Sequence, residues 1–121
     1  MPHSRELGKQ GEQIAADYLR DQGYEILERN WRHRRAEIDL IVQSEGILVF
    51  VEVKTRRQNT WQSAERSVNA AKRDRLSNAA SAYMAQVGHE WELRFDLLVV
   101  VWPAAEDPQI THYEDAFFRG W

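Results

Sequence analysis

Glu37-Ile38-Asp39-Leu40-Ile41-Val42-Gln43-Ser44-Glu45-Gly46-Ile47-Leu48-Val49-Phe50-Val51-Glu52-Val53-Lys54 is two aliphatic runs on either side of a short turn. Runs rich in Val, Ile and Phe bounded by a glycine turn predict two strands, Glu37 to Val42 and Ile47 to Lys54. Successive side chains on a strand point to opposite faces. Glu52 and Lys54 therefore share a face, about 6–7 Å apart. Glu37, Asp39 and Ile41 share one on the preceding strand. If the chain folds about Glu45-Gly46, partners across the hairpin have numbers summing to 91. Asp39 then faces Glu52 and Glu37 faces Lys54. A slip of one residue would put Asp39 and Glu52 on opposite faces.

Opposed residues have Cβ atoms about 4.5–5.5 Å apart, where two like charges repel unless a cation lies between them. A divalent metal supplies that charge, and hard oxygen donors suit Mg²⁺ or Mn²⁺. Lys54 stands beside the pair as a positive charge able to orient a water or stabilise an oxyanion. The plain alternative is a set of exposed charges with Glu37 and Lys54 as a cross-strand ion pair. Against it, the triplet lies in the most apolar strand of the front half, where unpaired charge is costly.

Outward from this hairpin, Ser4 caps an expected helix to about Gln22, stopped by Gly23. Leu7, Ile14 and Tyr18 mark one face, flanked by Ala15 and Leu19. Gly8 and Gly11 inside it suggest close packing or ligand approach, since each costs about 1 kcal/mol relative to Ala. A short strand is expected from Tyr24 to Arg29, and a loop over Gln58 to Ser63. A long helix from Ala64 to Val87 follows, with Leu76, Ala80, Tyr83 and Val87 on one face. Trp91 to Trp102 reads as a strand covered on both faces, Pro103 and Pro108 bracket a turn, and Gln109 to Tyr113 forms a last short strand. The order α-β-β-β-α-β-(β) predicts an α/β fold. Its mixed sheet of four to five strands combines an antiparallel meander with one parallel crossover, helices packing on the faces. A chain of 121 residues suits a single domain, 1–121.

The whole chain carries −3, yet residues 29–75 hold eleven Arg and Lys against six acids, +5, and the remainder carries −8. The low net charge argues against a uniformly basic nucleic-acid binder. The uneven spread allows one confined basic surface. With no cysteine, disulfides and thiolate chemistry are excluded. The longest apolar runs are Leu97 to Trp102 and Ile47 to Val51, far short of the roughly 20 residues of a membrane span. No secretory h-region is visible, so a cytoplasmic location and no membrane are expected.

Gly8-x-x-Gly11-Glu12-x-x-Ala15-x-x-Tyr18-Leu19, Arg29-Asn30-Trp31-Arg32, Glu37-Ile38-Asp39-Leu40-Ile41 and Val49-Phe50-Val51-Glu52-Val53-Lys54-Thr55-Arg56 together resemble the YraN family of uncharacterised bacterial proteins. Lys72-x-x-Arg75 and Arg94-Phe95-Asp96 extend the resemblance over about residues 5–100. That family looks like a member of the restriction-endonuclease-like superfamily, whose signature is Asp followed by Asp/Glu-x-Lys, and is similar in layout to archaeal Holliday-junction resolvases. The resemblance implies a three-layer fold. It implies that Asp39, Glu52 and the Val53 carbonyl are metal ligands, Lys54 the catalytic lysine, and Glu12 a group reaching the metal directly or through water. One departure is Ala36, where the family usually has Gly, which puts the entry to that strand in question.

Further candidates are basic. Arg32, Arg34 and Arg35 around Trp31 suit phosphate gripping and base stacking. Arg56 and Arg57 follow the triplet, and Lys72 and Arg75 lie at i, i+3 on the second long helix. Trp31 as a core residue is the alternative, and Arg94 with Asp96 reads as a structural ion pair. The four histidines show no ligand spacing. Gly8-Lys9-Gln10-Gly11 matches the KH-domain GXXG loop only weakly, because it lies within a helical pattern. The expectation is a Mg²⁺- or Mn²⁺-dependent endonuclease acting on duplex or branched DNA, as a monomer or homodimer. The alternatives are a DNA-binding module of the same fold that does not cut, and an adaptor docking a protein through the tail of Phe117, Phe118 and Trp121.

Overall fold

The computed structural model describes residues 4–57, 70–102 and 107–116. In chain order the elements are α1 (Ser4–Asp21), β1 (Glu25–His33), β2 (Ala36–Ser44), β3 (Ile47–Arg56), α2 (Ala70–Val87), β4 (Leu93–Val101) and β5 (Gln109–Tyr113). The expected loop at 58–63, the start of the long helix at 64–69, the turn at Pro103 and the tail from Phe117 lie outside the described residues.

The five strands form one sheet in sequence order. β1–β2, β2–β3 and β4–β5 are antiparallel, and β3–β4 is parallel, so α2 belongs to the crossover. This is the mixed sheet read from the sequence, with β1 running four residues further than expected. Glu45 (φ 52°) and Gly46 (φ 81°) are both left-handed, the conformation of a two-residue type I′ hairpin turn. The turn fixes the register: Ser44↔Ile47 through Leu40↔Val51 all sum to 91.

Each face of the sheet carries a helix. On one, Ala15, Ala16 and Leu19 of α1 pack with Leu40, Val42, Val49, Val51, Leu98 and Val100. On the other, Leu76, Ala79, Ala80 and Tyr83 of α2 pack with Ile41, Leu48, Phe50, Phe95, Leu97 and Val99. The alternation of Leu97 to Val100 between the two clusters explains why β4 reads as continuously apolar.

Two helix faces differ from expectation. The buried face of α1 is centred on Gly11, Ala15, Ala16 and Leu19, with Ile14 and Tyr18 at its edge. Small residues bring α1 close to the sheet: a Cβ at Gly11 would run into the Thr55 side chain, whereas one at Gly8 would meet nothing. On α2, Ala79 takes the place expected of Val87. Val87 is half exposed because the helix stops beside it, at Gly88. α1 ends in a Schellman motif, Gly23 N–H to Arg20 O (3.0 Å) and Tyr24 N–H to Leu19 O (2.9 Å), with Gly23 at φ 93°.

Candidate functional site

β2 changes face at Asp39. Ala36 and Ile38 pack on the α2 side, whereas Leu40 and Val42 pack on the α1 side. Strict alternation would put all four on one face. β1 makes the same change: Trp31 packs on the α2 side, while Arg29 reaches across α1 to Gln13 Oε1 at 2.8 Å. Between them Asn30 is left-handed (φ 50°), and the ladder passes from Arg29↔Leu40 to Trp31↔Ile38 around it. Asparagine is one of the few residues to enter this conformation readily. The two strands therefore twist sharply at the level of Asp39.

The twist opens a gap between β2 and β3. The described β2–β3 ladder ends at Leu40↔Val51. Beyond it the Asp39 carboxylate takes the place of a backbone acceptor: Val53 N–H donates to Asp39 Oδ2 at 2.8 Å. The N–H and C=O of one strand residue face the same neighbour, so the Val53 carbonyl also opens toward β2. Glu52 sits beside this gap, mostly buried. Lys54 Nζ lies 3.1 Å and Lys72 Nζ 2.8 Å from the same oxygen, Glu52 Oε1. Asp39 is near enough to Glu52 to feel its charge, but the two are not the opposed ladder partners expected, since the described pairing stops at Leu40↔Val51. The expected Glu37–Lys54 apposition is not formed: Arg32 pairs with Glu37 at 3.0 Å, and Lys54 turns to Glu52. Glu52 is less exposed than Glu37, so the lysine charge has more to neutralise there.

Glu12 completes the acidic side. With its amide nitrogen facing the carboxylates, Asn30 donates to Glu12 Oε1 (3.2 Å) and Glu37 Oε1 (2.9 Å). Burial raises the Glu12 carboxyl above its ordinary range. The Asn30 bond opposes that rise, the Glu37 charge adds to it and Arg29 opposes it. Asp39 is pushed up to about 7, first by burial, then by the Glu52 charge. The Val53 bond opposes the rise, Glu12 adds to it and Lys54 opposes it. Charges on Glu12, Asp39 and Glu52 are thus felt at one point.

The donor set fits a hard divalent cation. Asp39 Oδ1 and Glu52 Oε2 accept no hydrogen bond among the described residues. Both belong to mostly buried carboxylates that would otherwise repel each other. No group of three acidic or histidine side chains able to hold a metal occurs among the described residues. Mg²⁺ needs none, since it is typically held by one or two carboxylates while keeping waters and binding substrate phosphates.

The basic residues divide. Arg32 is spent on Glu37, Lys72 is held by Glu52, and Arg56 donates to the Thr55 carbonyl (3.0 Å). Arg34, Arg35 and Arg75 line one cavity between the β1–β2 turn and α2, and Arg57 is exposed at the end of β3. Trp31 serves the core, edge-on to Tyr83 (ring centroids 5.2 Å) with His33 stacked on its other side. Ala36 is buried with ordinary strand geometry. The left-handed residue of that turn is Arg34 (φ 57°), so Ala in place of Gly leaves the strand entry intact.

At the far end of the sheet Asp96 is fully buried. Arg94 grips it with two 2.8 Å bonds, His112 Nε2 lies 2.7 Å away, and the Asp115 N–H donates at 2.9 Å. Burial alone would raise its carboxyl. The His112, Arg94 and Asp115 bonds outweigh burial and hold it below the ordinary carboxylate range. The structural ion pair read from Arg94 and Asp96 is present, enlarged by His112 and by a 2.6 Å bond from Arg94 to the Tyr24 hydroxyl.

A profile of the uncharacterised protein family UPF0102 matches residues 11–100. A UPF0102 protein of Flavobacterium psychrophilum is 41% identical over 119 residues, covering 98% of this chain and 99% of its own. One from Rhodococcus jostii is 42% identical over 118 residues, covering 97% of this chain and all of its own. One from Symbiobacterium thermophilum is 50% identical over 98 residues, covering 80% and 83% of the two chains.

Proposed function

The chain belongs to the uncharacterised protein family UPF0102, and we propose that it is a metal-dependent nuclease of the restriction-endonuclease-like fold, hydrolysing DNA phosphodiester bonds. The observation that carries this reading is the gap between β2 and β3. There a mostly buried Asp39, raised to about 7 partly by Glu52, lies beside a lysine-bound Glu52. Lys54 and Lys72 offset the Glu52 charge, but the fold gains nothing from setting Asp39 beside it. Apolar residues of similar volume would be at least as stable.

In this reading Asp39 and Glu52, with the Val53 carbonyl facing the same opening and Glu12 beside it, would hold Mg²⁺ or Mn²⁺. Such an ion would supply Lewis-acid polarisation of the scissile phosphate and a more acidic water for in-line attack. Lys54 Nζ, 3.1 Å from Glu52 Oε1, stands at the edge of the gap, where its charge stabilises the charge that develops on the phosphate oxygens. Lys72 keeps Glu52 in place from the α2 side. Arg34, Arg35, Arg57 and Arg75 supply charge for the DNA backbone. No helix among the described residues is long and apolar enough to cross a membrane, and a cytoplasmic site of action accords with the DNA substrate.

The test is a cleavage panel with Mg²⁺ and Mn²⁺ over linear duplex, single strand, flap and four-way junction, with Glu52→Gln alongside. Metal-dependent product from the wild type and none from Glu52→Gln supports the reading. Absence of product from the wild type on every substrate, with salt-sensitive binding that persists in EDTA, would favour a binding module that does not cut.

A further inference from the structure

The cavity beside the candidate centre has a shape and lining that a plain duplex backbone does not require. It measures about 260 Å³ and is lined by His33, Arg34, Arg35, Ala36, Arg75 and Asn78. A second hollow of about 100 Å³ shares Arg35, Ala36 and Arg75 with it and extends to Glu37 and Lys72. The two hollows adjoin at Arg35, Ala36 and Arg75, and the smaller one reaches Lys72, whose ammonium bonds Glu52 at the edge of the gap.

Resting on the nuclease reading above, we infer that this cavity receives a single unpaired nucleotide of the DNA, next to the phosphate to be cut. Arg34, Arg35 and Arg75 form no ion pair among the described residues, unlike Arg32 with Glu37 and Arg94 with Asp96. Three cations lining one hollow repel each other until an anion enters, and guanidinium groups match a phosphate through paired N–H donors.

The wall supplies a place for a base. His33 lies parallel to Trp31, 4° between planes and 6.1 Å between centroids, and Trp31 is braced edge-on by Tyr83. The imidazole is thus a rigid ledge whose second face is turned away from Trp31. Bases that leave the duplex are held by stacking on such rings and by hydrogen bonds to their edges. The exposed Asn78 amide offers both a donor and an acceptor across the cavity. A hollow of this volume is too small for a duplex and suits one nucleotide. The substrate implied is DNA with an unpaired nucleotide at a bulge, branch or frayed end.

The test is anisotropy titration in EDTA, where nothing is cut, with a blunt duplex and the same duplex carrying one unpaired nucleotide. Wild type is expected to bind the second roughly tenfold more tightly. His33→Ala and Asn78→Ala are expected to bring that ratio close to one while leaving blunt-duplex affinity within about twofold. Asn78 is exposed and His33 meets the α2-side core only through Trp31, so thermal melts together with the unchanged blunt-duplex affinity check that the fold is retained. The inference is overturned if wild type binds the two DNAs equally or neither, or if the variants lose both together. A preference for the unpaired nucleotide without cleavage in any metal would sink the nuclease reading and leave the pocket standing. Cleavage of blunt duplex without preference would do the reverse.

Discussion

The mostly buried Asp39 carboxylate makes the metal-free protein's stability depend on pH in a direction opposite to that of most paired carboxylates. In the unfolded chain the group titrates near 3.8, and in the native gap near 7. Between those values the native state holds a proton that the unfolded state has lost, so stability falls as pH rises through the window. Above about 7 the loss is complete and the curve flattens; below about 4 it vanishes. The difference, at about 1.4 kcal/mol per tenfold change in proton affinity, is on the order of 4 kcal/mol. The gap is only partly shielded from water, so about half of that is expected. Asp39→Asn removes the charge and keeps an oxygen for the Val53 N–H. In EDTA the variant should match wild type at pH 4 and exceed it by about 2 kcal/mol at pH 8.5. That is about 1 M in urea midpoint at unchanged slope. Mg²⁺ should then raise the midpoint of wild type and leave Asp39→Asn where it was. Parallel pH profiles, or a variant less stable than wild type at pH 8.5, would refute the electrostatic account of the gap.

Gly11→Ala should cost about 1–2 kcal/mol despite the better helix propensity, because its Cβ meets Thr55, and Thr55→Ala should restore much of it in urea titration. Asp96→Asn should destabilise by about 3 kcal/mol, as it leaves Arg94 half-buried without its carboxylate. That cost should be present at pH 7 and shrink as pH falls below about 4, where the unfolded chain takes up a proton that native Asp96, held below the ordinary range, does not yet accept. Glu45→Asn should raise the melting temperature by about 2–4 °C, since asparagine tolerates the left-handed turn position better than glutamate.

The hairpin register was legible because two aliphatic runs either side of Glu45-Gly46 pair about that short turn. It carries Asp39 near Glu52 without making them ladder partners. The end of the ladder at Leu40 and Val51 was not legible, because it depends on Asp39 capturing the Val53 N–H and on Asn30 turning β1 out of register with its own alternation. The signal was present in an asparagine within a strand, where that residue is uncommon. Lys72 was singled out as a phosphate contact. Its place on Glu52 depends on where α2 crosses the sheet, which spacing along the chain does not specify. Large apolar residues alone do not mark the buried face of α1. Close approach to the sheet instead selects Gly11 and Ala15. Asp96 drew His112 from a strand 16 residues away, a contact set by the β4–β5 pairing.

The central claim is that the gap between β2 and β3 is a divalent-cation site, and calorimetric titration of Mn²⁺ into the DNA-free protein at pH 7.5 tests it most directly. The account predicts one ion bound by wild type, bound far more weakly by Asp39→Asn and by Glu52→Gln, and still bound by Lys54→Ala. Equal binding by all four proteins, or none by wild type, would contradict it.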